Sequence, residues 1–337
     1  MGERKRLEEY IPEKCQQLLN RDNTELRSAI PELARDWERM MEIESVLQEI
    51  PSNHQFCCGD SRDLGSVGMK PAGDGAQVPD ESVHLVVTSP PYFDIKDYSN
   101  HEGQLGSLEE YNNFSEELHK VWKECYDKLV VGGRMCVVVG DVLQSRQENG
   151  RHRVLPLHAE VQRQCMKTGF DCLTPIIWAK VGNASLEAGG NSRFLGKPYE
   201  PGALIKNDIE YILMFRKSGG YRSPSVAKRV LSTIQVDNYR QCFNQIWGDI
   251  AGESKNSYHP APFPKKLAER LIRMFSFVGD TVLDPFAGIG STAVAASDVA
   301  RDSINIEIDP KYISRAEENV KSGSPDRQHT TTRSSDF

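Results

Sequence analysis

The chain has 337 residues, of which 38% are hydrophobic and 26% charged, and its formal net charge at pH 7 is −7. This length fits one large α/β domain with additions or two modest domains, and the apolar content supports a substantial core. No apolar stretch approaches the roughly 20 residues that span a membrane, and the N-terminus carries no hydrophobic signal segment. The acidic balance argues against a protein that coats nucleic acid indiscriminately. No membrane association is therefore expected.

The eight cysteines are scattered, with one adjacent pair at Cys57–Cys58 and no CxxC spacing. This distribution argues against a zinc knuckle and against a disulfide framework, so no metal site is expected. Reduced thiols in a cytoplasm fit it best.

Residues 1–53 are polar and rich in helix formers, and Leu33, Trp37, Met40, Ile43 and Leu47 recur at helical spacing. They predict a helical N-terminal extension. Its expected role is packing against the main domain, with dimer contact as the alternative, so both a monomer and a homodimer remain open.

From residue 54 onward, short apolar runs alternate with helical patterns. The predicted strands cover residues 55–58, 83–88, 135–139, 176–178, 211–215, 281–284 and 303–308. Helices are predicted at 108–129 and 155–168 between them. This alternation indicates an α/β fold with a doubly wound, mostly parallel sheet covered by helices on both faces.

The run Val83–Thr88 is followed at once by Ser89, Pro90, Pro91 and Tyr92. A strand that stops at two prolines forms a rigid corner at a carboxyl end, where open α/β sheets bind their ligands. Because proline has no N–H, the corner offers carbonyl acceptors without competing donors. The serine hydroxyl and the tyrosine ring complete a receptor for a planar group with an exocyclic amine. A simple proline-rich turn is the alternative.

A second glycine-rich corner follows the run 281–284. Its residues are Asp284, Pro285, Phe286, Gly288, Gly290, Ser291 and Thr292. Glycines allow close backbone approach to a ligand, and the following helix presents free N–H groups. Glu307 lies 17 residues past Gly290, where a carboxylate is well placed to accept both hydroxyls of a ribose. The stretch also satisfies GxGxxA, so a dinucleotide cofactor is an alternative.

Residues 259–264 have the sequence His-Pro-Ala-Pro-Phe-Pro. Their prolines predict a stiff, extended backbone before a helix at 265–275. His259 is either a structural histidine or part of the cofactor site.

The composition becomes strongly basic between residues 216 and 240. The basic residues there are Arg216, Lys217, Arg222, Lys228, Arg229 and Arg240, against the single acid Asp237. Such a segment indicates contact with nucleic-acid phosphates, with a solvated face as the alternative. The polar residues 322–337 predict a disordered tail.

The order of these blocks resembles the β-group of amino-methylating DNA methyltransferases, in which the catalytic half precedes the cofactor half. Gly59-Asp60 is similar to the adenine-contacting turn of this family, and Thr88–Tyr92 to its catalytic motif. The basic segment occupies the place of its target recognition domain. Residues 259–264 resemble the block before the cofactor loop, and 284–290 with Glu307 resemble its S-adenosylmethionine site.

The resemblance implies a circularly permuted, Rossmann-like S-adenosylmethionine-dependent fold. The implied divisions are a catalytic half at 54–217, a target recognition segment at 218–250 and a cofactor half at 251–321. Asp60 would hold the adenine amine, Glu307 the ribose, and Phe286–Thr292 the methionine end, with His259 and Asp284 beside them. The partner would be double-stranded DNA in a prokaryotic cytoplasm, with a companion restriction endonuclease acting on the same site.

Within this family, serine before Pro-Pro-Tyr is typical of cytosine-N4 methylation by base flipping, and aspartate of adenine-N6 methylation. Ser89 thus favours cytosine, and an adenine-N6 enzyme on the same scaffold is the nearest alternative. An RNA or protein methyltransferase, a catalytically silent DNA-binding protein and an NAD-dependent enzyme are more distant alternatives.

Overall fold

The computed structural model describes residues 5–65, 78–93, 103–108, 110–144, 150–180, 194–195, 201, 204–205, 207–252, 264–323 and 329–334. Its helices are α1 (Asn23–Leu33), α2 (Trp37–Leu47), α3 (Tyr111–Lys128), α4 (Leu157–Thr168), α5 (Val226–Leu231), α6 (Val236–Cys242), α7 (Lys265–Phe275), α8 (Ser291–Asp298) and α9 (Pro310–Gly323). Short 3₁₀ helices cover Leu7–Tyr10, Glu13–Leu18 and Leu105–Ser107. None of the helices in these ranges is long and apolar enough to cross a membrane.

The first seven strands are β1 (Ser52–Cys58), β2 (Val83–Thr88), β3 (Leu129–Val139), β4 (Val142–Gln144), β5 (Arg153–Leu155), β6 (Phe170–Ala179) and β7 (Phe194–Leu195). The remaining strands are β8 (Leu204–Ile205), β9 (Ile209–Lys217), β10 (Ile246–Trp247), β11 (Thr281–Asp284), β12 (Asp302–Glu307) and β13 (His329–Ser334). Nine of these described strands form one sheet in the order β10-β6-β9-β3-β2-β11-β12-β1-β13. Among them, only β9 is antiparallel to its neighbours. The prediction of a doubly wound, mostly parallel sheet is confirmed.

The sheet has a topological switch point between β2 and β11. From β2 the chain continues to β3 on one side, whereas from β11 it continues to β12 on the other. Connections that diverge in this way open a crevice where the parallel strands end, and ligands bind there in doubly wound folds. We call the edge at which these strands end the carboxyl edge, and the opposite edge the amino edge.

Apolar side chains cover both faces of the sheet. On one face, α3 and α4 bury Phe114, Trp122 and Val161 against the strands. On the other, α7 and α8 contribute Leu267, Leu271 and Ala295. Burial on both sides explains why β2 and the end of β3 are nearly continuous apolar runs.

The N-terminal helices form a third apolar cluster with α5, a helix from the basic segment. Leu33, Ile43 and Leu47 are buried in this cluster, as is Val230 of α5. Trp37, which the helical spacing groups with the buried residues, is 67% exposed. The reason is a break between α1 and α2, where Asp36 caps α2 by accepting the Arg39 N–H at 3.0 Å.

The expected disorder of residues 322–337 is wrong for 329–334. These residues form β13, which pairs in parallel with β1 at the edge of the sheet. Three successive β-branched threonines favour extended backbone, and the open edge of β1 supplies partners for their N–H and C=O groups.

Candidate active site

The predicted catalytic corner lies at the switch point. Ser89 follows the last residue of β2 and is half-buried, as are Pro91 and Tyr92, whereas Pro90 is buried. The Tyr92 ring packs partly against the core, and its hydroxyl accepts a hydrogen bond from the Gly140 N–H at 3.3 Å. This bond ties the corner to the end of β3, the next strand of the sheet.

The glycine-rich corner faces it from the other side of the switch point. Gly290 has a φ of +83° and immediately precedes α8. A Cβ atom at this position would lie 2.7 Å from the Ala316 Cβ and 2.9 Å from its Cα. Only glycine therefore lets the loop turn this close to α9. The loop carries Phe286 and Ser291 at the carboxyl edge, as the sequence predicts.

Glu307 ends β12 at the same edge, and its two carboxylate oxygens fix two backbone turns. Oε2 accepts the Gly288 N–H at 2.9 Å, and Oε1 accepts the Asp309 N–H at 3.1 Å. Desolvation raises the pKa of Glu307 to about 7, against the lowering effect of these two donors. The side chain is only half-buried, so a ligand can still reach its remaining lone pairs.

Asp60 is on the neighbouring strand end, because the Gly59 N–H donates to the Glu307 carbonyl at 3.0 Å. Its carboxylate is already engaged by Arg62, whose Nε lies 2.9 Å from both Asp60 oxygens. Arg62 also donates to Glu117 of α3 at 2.8 Å. The sequence does place Asp60 beside Glu307, but it does not reveal the guanidinium that holds this carboxylate.

The side chains of Asp284 and Thr292 are turned inward, away from the surface of the predicted cofactor site. The Thr292 hydroxyl donates to Asp284 Oδ2 at 2.6 Å, and the Thr88 hydroxyl donates to Asp284 Oδ1 at 2.7 Å. All three side chains are buried. They form a bridge beneath the crevice rather than its surface.

A further wall of the site lies at the end of β3, where sequence reasoning assigned no role. Asp141 Oδ1 lies 2.6 Å from His158 Nδ1, and the imidazole stacks on Tyr211 with ring centroids 3.9 Å apart. Asp141 directly follows Gly140, the residue bonded to the Tyr92 hydroxyl. The Gly-Asp pair after a predicted strand was the only available signal, since 17 residues separate Asp141 from His158.

The start of the basic segment lies away from this site. Arg216 pairs with Arg134 in the antiparallel ladder, five residues before β3 ends at Val139, which is about 17 Å from the carboxyl edge. Its guanidinium donates to Asp171 at 2.8 Å, and Lys217 is buried with its ammonium 2.8 Å from the Leu129 carbonyl oxygen.

Arg222 and Lys228 converge on Asp280, a buried carboxylate at the amino edge. Their nitrogens lie 2.7 Å and 2.9 Å from its oxygens. Burial acts to raise the pKa of Asp280, but the hydrogen bond from Arg222 and the nearby cationic charge bring it below its ordinary value. Lys217 is thus buried, and Arg222 and Lys228 are half-buried and paired with a buried carboxylate, so their positions do not support the prediction that these three residues contact DNA phosphates.

The remaining two cations of the segment are Arg229 and Arg240. Arg229 donates to Asn23 of α1 at 2.8 Å. Arg240 is 77% exposed and lies 3.8 Å from Asp237. The segment 216–229 thus fastens the N-terminal helices to the sheet.

His259 lies outside the residues that the structure describes. Within those residues, no group of three His, Cys, Asp or Glu side chains is arranged to hold a metal ion.

A doubly wound sheet with a glycine loop and a carboxylate at the end of the next strand is typical of enzymes that bind a nucleoside cofactor. Comparison with known proteins shows which family within this class the chain resembles. The family model described as DNA methylase matches residues 83–318. The Type II methyltransferase M.MjaI of Methanocaldococcus jannaschii is 35% identical over 299 residues, which cover 81% of this chain and 92% of that protein.

Two solved structures show the same fold. TTHA0409 of Thermus thermophilus, solved with S-adenosyl-L-methionine, is 43% identical, with a TM-score of 0.66 over 86% of this chain and 100% of that one. The cytosine-N4-specific PvuII DNA methyltransferase is 20% identical, with a TM-score of 0.54 over 82% of this chain and 92% of its own. The chain belongs to the N6/N4 DNA methylase family.

Members of this family use S-adenosylmethionine, and the site suits it. The half-buried carboxylate of Glu307 matches a pair of ribose hydroxyls. The free backbone N–H groups at the start of α8 match a carboxylate. Phe286, which packs edge-on against Trp122 with centroids 6.5 Å apart, adds an apolar surface.

Proposed function

We propose that this chain methylates the exocyclic N4 amine of a cytosine flipped out of duplex DNA. The observation that supports this most is the position of Ser89, directly after β2 and opposite the cofactor loop across the switch point. A serine here is the residue that the family resemblance links to cytosine. The base has to leave the duplex because its amine is otherwise inaccessible.

The bound cofactor would supply an electrophilic methyl group on a sulfonium. An aromatic amine is a weak nucleophile, because its lone pair is delocalised into the ring. The Ser89 hydroxyl and the Pro90 carbonyl would accept hydrogen bonds from the amine and hold the lone pair toward the methyl group. Such acceptors strengthen as positive charge develops on nitrogen, so positioning and electrostatics supply the acceleration.

Tyr92 would provide a stacking face for the base. Its hydroxyl bond to Gly140 fixes the ring before the substrate arrives. Glu307 would hold the ribose, and Asp60, clamped by Arg62, would lie near the adenine amine.

The DNA would approach the carboxyl edge, since the crevice opens there. The side chains on this edge include Ser89, the paired Asp141 and His158, and Lys180 at the end of β6, which pairs with Glu210. Arg216, Lys217, Arg222 and Lys228 are directed elsewhere. The similarity to a Type II methyltransferase supports a role in protecting a site from a companion restriction endonuclease.

The test is to incubate the full chain with duplex DNA and methyl-labelled cofactor, digest the DNA to nucleosides and identify the labelled base by mass spectrometry. N4-methylcytosine is the expected product. N6-methyladenine would replace the cytosine assignment with the adenine alternative, and label in RNA or protein alone would overturn the proposal.

A further inference from the structure

A single buried carboxylate connects the two halves of the crevice. Asp284 is 4% exposed, and its oxygens accept hydrogen bonds from three separate places. Thr88 donates at 2.7 Å from the end of β2, and Thr292 at 2.6 Å from the first turn of α8. The Phe286 N–H donates at 3.0 Å from the cofactor loop itself.

Burying a carboxylate in this way costs free energy that a residue with only a packing role would not require. No Lys or Arg lies within ion-pair distance of Asp284 among the described residues, so hydroxyl and amide donors alone compensate its charge. Burial raises the pKa of Asp284, and the bonds from Thr292, Thr88 and Phe286 act in the opposite direction. A buried acid without a cationic partner is expensive to keep in a fold.

A local turn accounts for only part of the arrangement. The bond to the Phe286 N–H spans two residues and is an ordinary side-chain-to-backbone turn. The bond from Thr88 spans 196 residues and crosses from one strand to another at the switch point. Thr88 immediately precedes Ser89, so this bond fixes the strand end that carries the catalytic corner.

We propose that Asp284 is a positioning residue, which holds the catalytic corner at a fixed distance and angle from the cofactor loop through Thr88 and Thr292. The inference rests on the proposed methyl transfer for its kinetic consequence, but it holds for either target base. Methyl transfer needs the amine and the methyl group in line and in contact, and a misplacement of about 1 Å costs about 100-fold in rate. Both threonine side chains are buried beneath the crevice, so they would act through the two loops and not by contact with the reactants.

The informative variant is Thr88→Val, which removes the crossing bond and preserves shape. We expect kcat to fall by about 10- to 100-fold, while the Kd for the cofactor changes less than about threefold. Thr88→Ser retains a hydroxyl and should recover most of the activity. Thr233→Val is the matched control, since it removes a similarly buried hydroxyl, bonded to the Arg229 carbonyl at 3.2 Å at the amino edge.

Amide hydrogen exchange gives a readout that does not depend on turnover. In the wild-type chain, S-adenosylmethionine should slow exchange both in the loop 286–292 and in the corner 86–93. In Thr88→Val the loop should stay protected, while protection of the corner is lost. The Thr233→Val control should behave as the wild type does.

The proposal is overturned if Thr88→Val transmits protection to the corner as the wild type does. It is also overturned if the kcat of this variant matches that of Thr233→Val. If the wild-type chain transfers no methyl group to DNA, the proposed function fails, whereas the exchange comparison still decides the role of Asp284.

Discussion

Glu307 should make cofactor binding depend on pH near neutrality, and Glu307→Gln should remove this dependence. Desolvation raises the pKa of the carboxyl group to about 7. Ribose hydroxyls would donate to the ionised form, so binding has to draw the group into that form. Cofactor affinity is therefore expected to rise with pH through about 7.

The magnitude follows from the ionised fraction of the carboxyl group. With a pKa of about 7, this fraction rises from about one-eleventh at pH 6 to about ten-elevenths at pH 8. The Kd should fall about tenfold over this interval in the wild type. In Glu307→Gln the Kd should be higher at every pH. It should change with pH only to the extent that the cofactor itself titrates.

The folding stability of the protein without cofactor should fall as the pH rises, whereas cofactor affinity should increase. Because the folded-state pKa lies above the ordinary value of 4.5, Glu307 contributes stability that is complete below that value and is lost as pH rises through about 7. Relative to Glu307→Gln, the wild type should thus lose stability between pH 5 and 8.

Isothermal titration and urea unfolding of both proteins at pH 6, 7 and 8 measure the two effects. If the pH dependence of Kd is the same in wild type and variant, the carboxyl group does not titrate in this range and the reasoning is refuted. An unchanged affinity in Glu307→Gln would refute the ribose assignment itself.

Four other substitutions separate structural from catalytic roles. Asp280→Asn leaves two half-buried cations without their buried counter-charge and should cost about 2–3 kcal/mol in urea unfolding, whereas loss of the exposed pair in Arg240→Ala should cost under about 1 kcal/mol. Equal costs would mean that Asp280 is not the anchor of the basic segment. Gly290→Ala should destabilise the chain by about 2–5 kcal/mol, the sum of a left-handed backbone and a clash with Ala316, and thermal melting with a normal midpoint would contradict the turn geometry. Ser89→Ala should lower kcat sharply with an almost unchanged cofactor Kd, and parallel loss of both would remove Ser89 from the substrate side.

The sequence predicts the strands and the two corners of the crevice well, because their pattern is local. Val83–Thr88 and Thr281–Asp284 are apolar runs that stop at proline, and burial on both faces of the sheet produces that pattern. Both corners follow the carboxyl ends of parallel strands, and their meeting at one switch point is a finding of the structure. Ser89 and Glu307 therefore lie at the edge where they were expected.

The ion pairs of the basic segment could not be predicted, because a count of charges does not reveal where the counter-charges lie. Arg222 and Lys228 find theirs in Asp280, 58 and 52 residues further along the chain. The Asp141–His158 contact also depends on the fold, because α4 has to return its first turn to the end of β3. No spacing pattern in the sequence predicts either of these contacts.

The four-residue strand β11 has a buried acid at each end, and the partners of the two acids differ in kind. Asp280, just before it, is held by cations and has a lowered pKa, whereas Asp284, at its end, is held by hydroxyl and amide donors and has a raised pKa. Ion pairing suits a permanent attachment, and here it fastens the segment that contains α5, against which the N-terminal helices pack. Hydrogen bonds from threonines are weaker but directional, which suits the alignment of two loops. One short strand thus anchors the extension at the amino edge and aligns the crevice at the carboxyl edge. Substitution of Asp280 should therefore mainly lower stability, whereas loss of the hydrogen bonds to Asp284 should mainly lower turnover.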